Sequence, residues 1–175
     1  MSEDLRYPIG QFSFDAATAP KQREAWIHDL ARLPGELEGV LDTLDDDQLD
    51  TPYRPEGWTV RQVVHHLADS HMNAYIRIRL GLTEDAPLVK GYDEKLWAEL
   101  VDARTAPVAP SLSIVQGAHS RWVTLLHKLA PEDFQRTMVH PQSGPGTIEK
   151  YTALYAWHGA HHVAQIRNLR QRNGW

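Results

Sequence analysis

The stretch that decides the fold is the C-terminal run Thr147–Asn173, TIEKYTALYAWHGAHHVAQIRNLRQRN, which predicts one long helix. Thr147 suits the N-cap position, and Glu149 stands in the first turn, where the helix dipole favours an acidic side chain. Arginines crowd the last turns, where the dipole favours basic side chains. At about 100° per residue, the face predicted to be buried carries His158 and His162 among apolar residues.

These two histidines lie four residues apart, so their imidazoles project side by side and can converge on one ion. Neutral imidazole is a common ligand for zinc, nickel and related divalent metals. The chain has ten histidines, however, so this spacing arises easily by chance, and a buried, hydrogen-bonded histidine is ordinary. An unpaired polar group on a buried face costs about 1–3 kcal/mol, so both side chains need partners. The helix alone leaves both interpretations open, a metal site or satisfied core histidines.

The composition predicts one globular domain spanning residues 1–175 and argues against several functions. Hydrophobic residues make up 42% and charged residues 23%, with six tryptophans, which is enough to bury a core. The net charge of −5, without a basic run, argues against nucleic acid or an anionic membrane as partner. No cysteine is present, so thiol chemistry would need a small-molecule thiol. We expect a cytoplasmic protein, because neither a signal sequence nor an apolar run of membrane-spanning length is visible.

Three further long amphipathic helices are predicted before the final one. Their expected ranges are Pro20–Leu44, with Pro34-Gly35 kinking or splitting the helix, Thr59–Leu82, opened by a capping box of Thr59 and Gln62, and Ser111–Leu129. The rest of the chain is expected to form an extended arm (1–19), a short helix within Tyr92–Ala103 and a turn-rich loop or hairpin at Arg136–Gly146. Four long helices with long connectors predict an all-α four-helix bundle with a crossover connection.

A third metal ligand is expected on a facing helix, because bundle sites are built from facing side chains. The second long helix carries His65, His66 and His71. Helical phase favours His71, near the centre of the apolar face, whereas His66 lies on a polar flank. The other residues of that flank are Thr59, Ser70, Asn73 and Arg77. Periodicity does not decide between a histidine inside the packing and one that lines a wet groove.

Three pieces of the chain resemble a known family: GWTVRQVVHHLADSHMN (57–73), WHGAHH (157–162) and the YPIG of the arm (7–10). They are similar to the DinB/YfiT group of metal-dependent hydrolases, and most similar to its YfiT branch, also described as bacillithiol S-transferase-like. The resemblance implies a four-helix bundle, a homodimer and a divalent metal, zinc or nickel, with coordination positions open to water. It also implies that His66, His158 and His162 are the metal ligands. His71 is then interpreted as a core residue or as a residue that supports the ligands.

Three neutral histidines and an open position are the pattern of catalytic rather than structural zinc. Such an ion would lower the pKa of water to about 7 for hydrolysis, or deprotonate a small-molecule thiol for transfer to an electrophile. We therefore expect a metal-dependent hydrolase or a low-molecular-weight-thiol S-transferase that acts on a small molecule. The alternative is a non-catalytic binding or dimerisation module in which the metal joins two helices.

Other polar residues are assigned by their place on the helices. Gln165 and Tyr155 are expected to orient the ligands or to make polar contacts in the core. Ser70 and Asn73 are expected to line the pocket, whereas a solvent-facing position is favoured for Arg77. Asp69 lies on the far side of its helix and is not assigned as a general base. The side chains interpreted as ordinary core or surface residues are His28, His65, His119, His127, His140, His161, Trp58 and Trp157.

Overall fold

The computed structural model describes residues 5–175, and four long helices dominate it. The helices are α1 (Ala19–Leu41), α2 (Asp46–Leu49), α3 (Val60–Thr83), α4 (Glu94–Ala98), α5 (Val101–Thr105), α6 (Ala109–Leu126) and α7 (Ile148–Asn173). A 3₁₀ turn at Asp133–Gln135 leads into an antiparallel hairpin of β1 (Thr137–His140) and β2 (Gly144–Thr147). The predicted all-α four-helix bundle is confirmed. Residues 1–4 of the predicted arm lie outside the described range.

The two helices that carry the histidines begin as their sequences predict. The Thr59 hydroxyl accepts the backbone N–H of Gln62, whose side chain accepts the N–H of Thr59, so the capping box of α3 is complete. Thr147 caps α7 by accepting the N–H of Lys150. Gly174 ends α7 in the left-handed conformation, with φ of 70°. Each of these helices is therefore held at a defined starting point.

Several predicted boundaries are corrected. Helix α1 runs through Pro34 without splitting, because proline removes only one backbone donor and the apolar face on both sides of it stays buried. Helix α6 starts two residues before Ser111, with Pro110 in its first turn, and ends at Leu126. The short helix expected within 92–103 is two helices, because Leu100 adopts an extended backbone between them.

The four long helices form a ring in which α1 packs against α6 and α7, and α3 also packs against α6 and α7. Helices α1 and α3, although consecutive among the long helices, therefore occupy diagonal positions, and so do α6 and α7. The connections 42–59 and 127–147 each cross a diagonal of the bundle, which confirms the predicted crossover. This order makes α3 and α7 neighbours.

Two apolar clusters fill the bundle, one at each end. Along α7, one contains Tyr151 and Tyr155 and the other contains Val163 and Ile166. The same division falls between Leu30 and Leu33 on α1, between Ala68 and Ala74 on α3, and between Val115 and Trp122 on α6. A layer of imidazoles lies between the two clusters. No helix within residues 5–175 combines the length and apolar character needed for a membrane span.

Close packing of α1 against α7 at this layer depends on Gly159. A Cβ atom at Gly159 would lie 2.5 Å from Cδ2 of Leu33, which is closer than atoms can pack. The missing side chain therefore allows α7 to approach α1 directly beside His158.

Candidate metal centre

Three histidines from two neighbouring helices converge at the centre of the bundle. Helix α3 supplies His66, and α7 supplies His158 and His162; one ring nitrogen of each lies within 4.8 Å of the others. The Nε2 atoms of His66 and His158 are 3.2 Å apart. Tetrahedral zinc with Zn–N bonds of 2.0–2.1 Å separates its ligand nitrogens by about 3.3 Å, so this pair is spaced for a shared ion.

Burial keeps these imidazoles neutral. It lowers the pKa of His66 to about 4, and it lowers the pKa values of His158 and His162 well below the usual range, with neighbouring imidazoles adding to the effect. At pH 7 each ring therefore offers an unprotonated nitrogen, the form in which histidine binds a metal.

A chain of hydrogen bonds behind His158 determines which of its two ring nitrogens is unprotonated. The carbonyl oxygen of Leu30 can only accept, so the His119 Nδ1 atom 2.6 Å away carries a proton. Burial lowers the pKa of His119, so its Nε2 is unprotonated and accepts from Nδ1 of His71 at 2.9 Å. His71 is fully buried with its pKa well below normal, so its Nε2 in turn accepts from Nδ1 of His158 at 3.1 Å. The lone pair of His158 Nε2 is therefore directed at His66, where a proton or a cation is needed.

His162 is oriented by a second set of contacts. Its Nδ1 lies 2.8 Å from Oε1 of Gln165, and the Gln165 amide nitrogen donates to the carbonyl of Arg6 at 3.1 Å. Since a backbone carbonyl only accepts, the amide nitrogen faces Arg6 and the amide oxygen faces His162. His162 therefore donates from Nδ1 and keeps Nε2 free for a metal, and the N-terminal arm contributes to its orientation.

The three histidines open into a cavity of about 390 Å³. The Trp58 ring lies 4.7 Å from the ring of His66 and forms part of the wall. Burial raises the pKa of Tyr92 to about 12 and also raises that of Tyr155, so both hydroxyls stay protonated and can donate hydrogen bonds. The other lining residues are Ser70, Arg77, Glu94, His140, Gln142, Ser143, Tyr151 and Leu154.

A second cavity, of about 590 Å³, shares a wall with the first. Trp58, Glu94 and His162 line both. The second cavity is bounded on its far side by Arg6 and Tyr7 of the N-terminal arm. His162 is thus the candidate ligand that lines both cavities.

The sequence model of the DinB superfamily matches residues 21–166 of the chain. The chain belongs to the DinB superfamily. Proteins of Bacillus mycoides and Oceanobacillus iheyensis are each 50% identical to this DinB protein, over 173 and 170 residues. The alignments cover 99% of both chains in the first case, and 97% of this chain and 98% of the relative in the second. Both relatives carry the name "Putative metal-dependent hydrolase".

The solved structure of YfiT from Bacillus subtilis matches the DinB protein with a TM-score of 0.95 and 47% identity. The match covers 98% of this chain and 99% of YfiT. That protein is described as a probable metal-dependent hydrolase with an unusual four-helix bundle topology. The family resemblance inferred from the sequence motifs is therefore confirmed.

The DinB protein brings the three histidines named by the resemblance together and places His71 behind them. Gln165 contacts His162, and Ser70 lines the cavity, as expected. Tyr155 makes the polar contacts that were the alternative for it, to Ser70 and Arg77, and it also lines the cavity. Asn73 does not line it, because its amide donates to the carbonyl of Asp69 on its own helix.

Two further assignments from the sequence need correction. Arg77 is buried and lines the cavity instead of facing solvent. His119, interpreted as ordinary, belongs to the chain behind His158. The sequence signal for this role was the position of His119 at the centre of the apolar face of α6, where a polar side chain needs a partner. Tyr92, which the sequence did not single out, also lines the cavity.

Without metal, the DinB protein is expected to lose stability as the pH falls from 6.5. The unfolded chain takes up protons on these histidines near pH 6.5, whereas folded His66 does so only near pH 4. Each such histidine contributes a slope of about 1.4 kcal/mol per pH unit between its two pKa values, and below the folded pKa the loss levels off. Urea unfolding in EDTA between pH 7 and 5 measures this. A flat profile would contradict these lowered pKa values.

Proposed function

We propose that this DinB protein is an enzyme that depends on a divalent metal held by His66, His158 and His162. The observation that carries the proposal is the convergence of three neutral imidazoles on one point at the edge of an open cavity. Bound in this way, zinc or nickel would supply Lewis acidity and lower the pKa of a water molecule or a thiol.

The side chains around this point have distinct roles in the proposal. The bonds from His158 to His71 and from His162 to Gln165 hold the ligand rings in place before a metal binds. Trp58 shields one side of His66 from water. Tyr92 and Tyr155 act as hydrogen-bond donors to a substrate, because their raised pKa values keep them protonated.

Hydrolysis of a small molecule is the first candidate reaction. It agrees with the names of the relatives and needs one organic substrate, which the 390 Å³ cavity can hold. Glu94 is the one carboxylate that lines this cavity within residues 5–175, and it lies at the exposed start of α4.

Transfer of a small-molecule thiol to an electrophile is the second candidate. The observation that favours it is the second cavity, since a transfer needs two organic substrates that meet at one centre. The chain has no cysteine, so no protein thiol would compete for the metal or the electrophile.

The experiment uses protein purified without a histidine tag. Zinc and nickel contents are measured first, and about one ion per chain is expected. A panel of small thiols, including cysteine, glutathione and bacillithiol, is then incubated with monochlorobimane, with and without metal. A panel of esters and amides is tested without thiol.

Metal-dependent loss of one thiol would establish transfer, and metal-dependent cleavage without thiol would establish hydrolysis. An ion held by four protein ligands, with no turnover in either panel, would favour the non-catalytic module. Protein that takes up no ion would overturn the proposal.

A further inference from the structure

Arg77 is a buried cation at the end of the first cavity that lies away from the three histidines. It stands eleven residues after His66 on α3, which is about 16 Å along the helix axis. Its side chain is 6% exposed and lines the cavity. Tyr155 links the two places, because its hydroxyl bonds to Arg77 and its ring centroid lies 5.8 Å from that of His158.

The guanidinium of Arg77 is incompletely paired. Its Nη2 donates to the backbone carbonyl of Lys90 at 2.6 Å, and the guanidinium also bonds to the neutral hydroxyl of Tyr155. Its Nε is buried and, within residues 5–175, has no hydrogen-bond partner, and no carboxylate of the described chain comes within ion-pair distance. A buried charge is costly unless it is paired, so this arrangement calls for an anion.

The other strongly buried arginine of α3 shows how this chain pairs such a charge. Arg61 is 4% exposed, and its guanidinium bonds to Asp50 at 2.6 Å and to Asp46 at 2.8 Å. Arg77 has no equivalent acid, although Glu94 lines the same cavity beyond ion-pair distance. The two arginines differ in location, because Arg77 lines the cavity and Arg61 does not.

The surroundings of Arg77 supply further hydrogen-bond donors. The Tyr92 ring centroid lies 5.8 Å from Cζ of Arg77, and Ser70, which bonds to the hydroxyls of Tyr92 and Tyr155, lines the same cavity. His140 completes this end of the cavity. Hydroxyl donors beside a guanidinium form a site that suits an oxygen anion.

We propose that the substrate carries an oxyanion, a carboxylate or a phosphate, that binds Arg77 at the far end of the cavity while its reacting group lies at the three histidines. The proposal rests on the proposed function in taking this cavity as the substrate site. It excludes neutral molecules as substrates and names Arg77 as the residue that selects for charge.

Binding to metal-free protein tests this without any turnover. Metal is first removed with EDTA, and the EDTA is dialysed away because it is itself a carboxylate. Acetate, inorganic phosphate and acetamide, the neutral analogue of acetate, are then titrated at pH 8 and followed by NMR. We expect millimolar binding of at least one anion and none of acetamide. Binding should shift the ring signals of His140 in the cavity and leave those of exposed His28 in place. A response to acetate alone identifies a carboxylate, and one to phosphate alone identifies a phosphate group.

Substitutions at Arg77 test whether its charge binds the anion. Arg77→Gln should weaken anion binding at least 10-fold, Arg77→Lys should retain part of it, and Arg79→Gln, which changes an exposed arginine two residues on, should retain all of it. Zinc uptake should be equal in all variants, because Arg77 contacts none of the three histidines; a failure of zinc uptake would count against the proposed function instead.

Three results would overturn the proposal: no anion binding to the wild type, equal binding of acetamide and acetate, or equal anion affinity in Arg77→Gln. If Arg77→Gln does not fold, the His140 signals of the wild type and the Arg77→Lys variant decide, and unshifted His140 signals in the presence of either anion would overturn it.

Discussion

Replacing His158 with alanine is expected to abolish metal binding and the metal-dependent reaction. The rings of His158, His66 and His162 form a triangle with centroids 4.6–5.2 Å apart, and Nε2 of His158 lies 3.2 Å from Nε2 of His66. Loss of a partner behind a ligand typically costs 10–100-fold in metal affinity, so loss of the ligand itself should cost more than about 100-fold. The variant should also lose about 1–3 kcal/mol of unfolding free energy, because Nε2 of His71 loses its donor.

Metal content after dialysis, together with turnover at saturating zinc, measures this effect. The matched control is His28→Ala, which removes an exposed histidine from α1 and should behave as the wild type. Unchanged ion content and turnover in His158→Ala would show that the metal, if bound, lies elsewhere.

The second large effect is expected from a residue that touches no metal. His119→Leu removes the acceptor of His71 Nδ1 and the donor to the carbonyl of Leu30. Two buried groups then lack partners, which costs about 1–3 kcal/mol each. His71 can also move its proton to Nε2, and His158 then loses the acceptor that holds its tautomer. We expect zinc affinity to fall by about 10–100-fold, as for other partners behind a ligand.

Zinc competition with a chromophoric chelator measures the affinity, and ¹⁵N NMR of the histidine rings reports the tautomer of His158. The matched control is His65→Leu. His65 is 8% exposed, also lies on α3, and bonds to Ser111 and to the carbonyl of Ala106, away from the candidate ligands. It should lose stability but keep its zinc affinity. Equal zinc affinities in the two variants would show that the hydrogen bonds from His119 through His71 to His158 do not support metal binding.

The helices could be predicted because their signals are local: caps at Thr59 and Thr147, and apolar residues at helical spacing. The third histidine could not be chosen from phase. Helix α3 packs between α6 and α7, so the centre of its apolar face, with His71, points to the bundle axis and is 0% exposed. Its flank, with His66, faces α7. A side chain that meets a neighbouring helix at a cavity therefore lies off the centre of the apolar face. His66 was accordingly identified by the family motif and not by the periodicity.

Arg77 shows a different limit of the sequence. Periodicity placed Arg77 on a polar flank of α3. This flank would face solvent if no other segment packed over it. Residues 87–89 instead run beside β1, where the N–H of Val89 donates to the carbonyl of Val139 at 2.9 Å. This segment carries Lys90 and Tyr92 over Arg77. The burial of Arg77 thus depends on pairing between segments about fifty residues apart, which helical phase does not encode.

The imidazole chain takes one member from each long helix: Leu30 from α1, His119 from α6, His71 from α3 and His158 from α7. Sliding any helix by one turn, about 5.4 Å, or rotating it away from the axis, would break at least one of these bonds. Apolar side chains would tolerate several such alignments with similar energies. The polar centre therefore selects a single axial alignment of the four helices, and a fully hydrophobic replacement should pack into a mixture of alignments while remaining helical.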